Sequence, residues 1–124
     1  MALSNTIALQ SFDAGVDLSA KKNYLIALNS SGKAILSSVN ARIDGVLQNN
    51  PVSGEVASLA TVEGTIVKCV ASAAITLGDN LAAVATGKVK TAASTNEIIG
   101  KALEAATADG DLISVLFKHA GAEA

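Results

Sequence analysis

Aromatic residues are nearly absent from this 124-residue chain: Phe12, Tyr24 and Phe117 are the full complement, with no tryptophan. Single-stranded nucleic acids are gripped by aromatic stacking platforms over a clustered cationic surface. Here the nine Lys and Arg residues are scattered among eleven Asp and Glu, with no basic stripe, so nucleic acid is not an expected partner. The scarcity of rings also argues against a sugar cleft worked by paired carboxylates. Cys69 is the only cysteine, which excludes an intramolecular disulfide and a thiolate metal cluster. It sits in the strand-like run Ile66-Val67-Lys68-Cys69-Val70, where a buried structural thiol is expected. His119 is the only histidine; a His-based metal site or a triad needs a constellation that is not there. A Cys69–His119 dyad has no flanking motif to support it. No run of about 18 apolar residues exists to span a membrane. Met1–Asn5 shows no basic stretch leading into an apolar one, so no secretory leader is expected.

What the chain does have is a repeat. Asn23-Tyr24-Leu25, Gly32-Lys33, Ile43-Asp44-Gly45 and Gly54-Glu55-Val56-Ala57-Ser58-Leu59 recur as Asn80-Leu81-Ala82, Gly87-Lys88, Ile98-Ile99-Gly100 and Gly110-Asp111-Leu112-Ile113-Ser114-Val115. Self-similarity at a steady offset marks a duplicated structural unit; here the copies cover about 23–64 and 80–121. The recurring positions are turn glycines and strand residues, and no catalytic side chain recurs with them.

Short apolar runs between glycine turns predict strands at 24–28, 33–38, 43–47, 55–61, 65–70, 81–85, 88–91, 98–102 and 112–118. In the last of these, Ile113, Val115 and Phe117 share one face and Leu112, Ser114 and Leu116 the other. Ser58 and Ser114 fall at equivalent places, so both copies keep one face assignment; a one-residue slip would invert it. The alanine-rich stretch 102–108 leaves one or two helical turns open. The expected fold is mainly β: a small antiparallel barrel or sandwich built from two similar halves (residues 21–124), preceded by an extended N-terminal arm (1–20). Closure into a barrel would remove the unpaired edges that a strand-rich chain must protect. Leu3, Ile7, Leu9 and Phe12 would be exposed on a free arm, which makes them candidate contacts with a partner or with the protein's own domain. A core made of small and branched side chains buries little area per residue, which favours association of subunits.

Searches for chemistry end on turn residues. Asp109-x-Asp111 lacks the remaining ligands and closing Glu of a calcium loop. Thr86-Gly87-Lys88 is followed by Val89, not Ser or Thr, so it is not a phosphate loop. A carrier domain with a modified Lys88 remains an alternative, although Lys33 follows a glycine in the same way and both read as solvated hairpin lysines. No catalytic residue, cofactor or metal ligand is expected.

The order Leu77-Gly78-Asp79-Asn80-Leu81, Thr86-Gly87-Lys88-Val89, Ile98-Ile99-Gly100-Lys101-Ala102-Leu103-Glu104 and Asp109-Gly110-Asp111-Leu112-Ile113-Ser114-Val115-Leu116 resembles the capsid cement (head decoration) proteins of tailed bacteriophages. The resemblance covers residues 65–118 well and the first copy more loosely. It implies a β-rich virion protein without enzymatic activity. Such a protein would be made in the host cytoplasm and, as a homotrimer, bind the outer surface of an icosahedral head where major capsid protein subunits meet. The other readings are a tail, fibre-base or surface-layer module, and a small carrier or ligand-binding β domain.

Overall fold

The computed structural model describes residues 9–38, 43–119 and 121. Ten strands follow in order: β1 Leu9–Asp13, β2 Leu25–Leu28, β3 Ala34–Leu36, β4 Gly45–Leu47, β5 Val56–Ala60, β6 Ile66–Val70, β7 Asn80–Ala83, β8 Val89–Thr91, β9 Gly100–Ala102 and β10 Leu112–Phe117. They form two five-stranded sheets, β1-β5-β4-β2-β3 and β6-β10-β9-β7-β8, in which every pairing between strands is antiparallel. The second order is the first one repeated.

Duplication extends to register. β1 faces β5 with Leu9 opposite Ala60 and Asp13 opposite Val56; β6 faces β10 with Ile66 opposite Leu116 and Val70 opposite Leu112. Leu9–Asp13, expected to be part of an arm, is therefore a full edge strand and the counterpart of Ile66–Val70. Its pairing places Phe12 opposite Ala57, where the ring packs on the first-half core. Residues 1–8, with Leu3 and Ile7, lie outside the described residues.

The sandwich alternative of the expected fold is the one that forms, and neither sheet closes into a barrel. One parallel bridge in each draws the chain after the first strand towards the third: Ala14 to Ala34 and Ala71 to Val89. The Gly15 N–H donates to the Ala34 carbonyl, and the Ser72 N–H to the Val89 carbonyl, each at 2.8 Å. There is no helix among the described residues. In the alanine-rich stretch Ala106 bridges to Ile75 instead, and the Asp111 carboxylate takes the N–H groups of Thr107 and Ala108. A carboxylate that satisfies local donors in this way competes with a helix.

The matching glycines Gly45 and Gly100 are required by close approach. A Cβ on Gly45 would stand 2.8 Å from the Ala60 carbonyl oxygen, and one on Gly100 2.7 Å from that of Leu116. Only glycine lets β4 and β9 lie this close to their neighbours.

The copies differ in what covers them. Ile26, Leu47, Ala57 and Leu59 make a core private to the first half, joined by Ala14, Leu18 and Ala34. The opposite face of the first sheet carries the cross-strand row Leu25–Val46–Ala60. This row is fully buried and joins Val67, Cys69, Leu81, Ile99, Val115 and Phe117 of the second half in one continuous core. The corresponding row of the second sheet is Asn80–Lys101–Leu116. Lys101 there is exposed, and its two neighbours are only half-buried.

Candidate interaction surface

Alternation along β5 and β10 sends every second residue outward. Each of these strands begins just after a Gly-acid pair, so the first outward residue is Val56 in one copy and Leu112 in the other. They are 54% and 48% exposed, a matched pair of aliphatic side chains left in solvent at equivalent places. Leu9, on the same face of β1, is 49% exposed.

The acids before them stiffen the turns. The Val52 N–H donates to Glu55 Oε1 at 2.9 Å. In the second copy Asp111 Oδ2 accepts the Thr107 N–H at 2.8 Å, the Thr107 hydroxyl at 2.9 Å and the Ala108 N–H at 3.2 Å. These donors, the Thr107 N–H foremost, hold the Asp111 carboxyl below its usual range. Nearby, the Ser114 N–H donates to Glu104 Oε1 at 2.7 Å. Hydrogen bonding from Ser114 lowers the Glu104 carboxyl, and Lys68 adds a smaller attraction. The aliphatic side chains are thus carried on backbone that is already ordered, which reduces the entropy lost when a surface docks.

A groove of about 450 Å³ runs between the halves, lined by Lys22, Asn23 and Gln48 from the first and by Ile66, Lys68 and Leu112 from the second. Its lining sets Leu112 beside two lysine side chains, Lys22 and Lys68. Of the contacts expected from sequence, Leu9 is on the outward face, whereas Phe12 is half-buried on the opposite side of the same strand. Val56, Leu112 and the groove were not expected. The signal for the first two was present: Gly54-Glu55-Val56 and Gly110-Asp111-Leu112 occupy one place in the two copies, and alternation puts both aliphatics opposite the buried Ala57 and Ile113. The groove has no signal in sequence, since it lies between segments distant along the chain.

Reactive groups are withdrawn or paired. Cys69 is buried, and desolvation pushes its thiol up to about 12. The His119 backbone N–H donates to Glu63 Oε1 at 2.6 Å, the ring Nδ1 lies 3.7 Å from Oε2, and the ring meets Phe117 edge-on. Lys88 Nζ is 2.8 Å from Asp109 Oδ1, a hydrogen bond that raises the ammonium. Its side chain is 24% exposed, so it is tied across to the turn before β10. Among the described residues no group of three or more His, Cys, Asp or Glu side chains is placed to hold a metal ion.

A family model described as phage cement protein matches residues 12–118. That span takes in the end of β1 and all of β2 to β10. No curated protein matches the chain. Among solved structures, the N base of head fiber gp8.5 in bacteriophage phi29 is similar, with a TM-score of 0.72 at 17% identity, covering 94% of this chain and 98% of that one. At that identity the likeness concerns the fold.

Proposed function

This chain belongs to the phage cement protein family, as a structural component of the virion, and from that premise we propose that it decorates the outer surface of an icosahedral head and stabilises it by binding where major capsid protein subunits meet. The family match across nearly the whole fold carries this reading. The surface suits it: Leu9, Val56 and Leu112 stand half in solvent on ordered strands. Completing the burial of one such side chain is worth up to roughly 1.5–3 kcal/mol when none of it was covered before, and about half of that here. Of the four residues expected on an arm, Leu3, Ile7 and Leu9 contribute the N-terminal part of the contact, whereas Phe12 packs on the protein's own core, and the protein acts as a homotrimer with no catalytic role. A protein that binds the assembled shell but not separated subunits stabilises the shell by mass action alone. Decoration therefore needs complementary surface and no reaction.

The test is co-sedimentation with purified expanded heads that lack the protein. Saturable binding, weakened by Leu112→Asp and Val56→Asp, is expected. Wild-type protein that stays in the supernatant at every concentration sinks the reading. The likeness to the phi29 head fiber base favours a second reading, a pedestal that anchors a fibre to the head. Binding to a small fixed set of head positions, instead of the whole lattice, would select it.

A further inference from the structure

The two halves meet head to tail. The β7–β8 turn of the second half sits on the first half: the Leu25 N–H donates to the Gly87 carbonyl at 2.7 Å, and the buried Ser37 hydroxyl to the Val84 carbonyl at 3.2 Å. A Cβ on Gly87 would lie 3.0 Å from Leu36, 3.1 Å from the Leu25 carbonyl oxygen and 3.2 Å from the Tyr24 Cβ. The reciprocal contact is not made. The matching turn of the first half, Asn29–Gly32, carries a glycine with the same positive φ, yet a Cβ there would meet nothing within 4 Å. A heterologous contact of this kind does not close on itself. It leaves one unused turn and one unused face, and copies of a chain with such ends can add indefinitely.

Both ends differ from the surfaces that are paired. Where the docked turn presents Val84-Ala85-Thr86, the unused one presents Asn29-Ser30-Ser31. The Asn29 side chain is spent on its own turn, accepting the N–H groups of Ser31 at 2.9 Å and Lys33 at 3.0 Å. Where the receiving face presents Tyr24, Leu25, Leu36 and Ser37, the second half has Asp79, Asn80, Thr91 and Ala92. Asp79 Oδ2 accepts the Thr91 hydroxyl at 2.9 Å and the Thr76 N–H at 3.1 Å, so a polar pair stands where the first half is apolar. Behind it Lys101 replaces Val46. A turn landing here would set its apolar residues against the Asp79 carboxylate and strip water from it.

We propose that the chain is a two-unit head-to-tail array whose two open ends are closed by polar residues: a second copy of this chain is the partner these ends would otherwise fit, and Asp79, Asn80 and Thr91 at one end, with Asn29, Ser30 and Ser31 at the other, prevent it from adding on. Polar terminal units stop solenoid arrays in the same way. Specificity here comes from an unfavourable contact built against the wrong partner. Any association of copies uses other surfaces, and this holds whether or not the protein decorates a head.

The test uses two full-length variants. The receiver carries Asp79→Tyr, Asn80→Leu and Thr91→Leu; the donor carries Asn29→Val, Ser30→Ala and Ser31→Thr. By sedimentation velocity each variant alone should match wild type, and an equimolar mixture should give a heavier species. Adding Gly32→Val to the donor should abolish that species, because a side chain at the matching Gly87 would strike the receiving face. Should the triple receiver fail to melt cooperatively, Asn80→Leu alone takes its place, with the same outcomes expected. A mixture that sediments as its separate components overturns the proposal. So does a wild-type chain whose self-association is abolished by Gly32→Val.

Discussion

Val46 and Lys101 occupy the same place in the two copies, so truncating each to alanine isolates what tertiary packing adds. Val46 is fully buried in the core shared by both halves. Val46→Ala removes two carbons at about 0.8 kcal/mol each. Its neighbours in the row, Leu25 and Ala60, are themselves fully buried and collapse only partly into the gap, so a cavity term brings the loss to about 2–3 kcal/mol. For a chain of this size about 1 kcal/mol moves the melting midpoint by roughly 4 °C, so a fall of about 8–12 °C is expected. Lys101 is exposed, and Lys101→Ala should stay within about 0.5 kcal/mol, or about 2 °C. The assay is thermal unfolding followed by far-UV circular dichroism. Because the Val46 core spans both halves, wild type and Val46→Ala should each melt in one transition. Equal shifts for the two variants, or two separate transitions of which only one moves, would refute the shared core.

Gly100→Ala puts a Cβ 2.7 Å from the Leu116 carbonyl oxygen; overpacking of this kind costs about 1–3 kcal/mol, and a guanidinium chloride midpoint equal to that of wild type would count against the close approach. Cys69 should resist thiol reagents until the protein unfolds. Its folded pKa, about 12, is raised above the ordinary 9.0, so the stability it contributes is complete below about pH 9 and lost as pH rises towards 12. Cys69→Ser should flatten that alkaline decline, as read from urea midpoints across pH. Asp111 and Glu104 are shifted the other way. Their contribution is present above the ordinary carboxylate range, near pH 4, and lost as pH falls through the lowered folded values. Asp111→Asn should therefore be less stable than wild type at neutral pH and show a shallower acid decline; parallel curves would remove Asp111 from the account.

Nine of the ten strands were legible because each sits between turn residues whose chemistry is local. Both hairpin turns close through the same two backbone hydrogen bonds, Asn29 with Lys33 and with Gly32 in one, Val84 with Lys88 and with Gly87 in the other, and the Asn29 side chain adds two more in the first. β1 was not legible as a strand. Leu9-Gln10-Ser11-Phe12-Asp13 alternates poorly, and its counterpart Ile66–Val70 is recognisable only because it is apolar on both faces. What makes β1 a strand is β5, more than forty residues away, a contact that no local window contains. The alanine-rich stretch 102–108 likewise takes its shape from Ile75 and Asp111.

Sequence alone determined the duplication, the strand order along the chain, the turns and the scarcity of reactive groups, because each depends on residue type and short spacing. It also held the contrast between Val46 and Lys101, visible once the copies are laid in register. The contrast between Leu25 and Asn80 needed the structure: sequence lays Asn23-Tyr24-Leu25 on Asn80-Leu81-Ala82, two residues out of step, and only the pairing of Leu25 with Val46 and of Asn80 with Lys101 makes Leu25 and Asn80 equivalent. Only the tertiary structure decided which half supplies the turn and which the receiving face, and so which outward row becomes core. That choice depends on the relative placement of two units with the same fold, a long-range packing arrangement that neither unit specifies by itself.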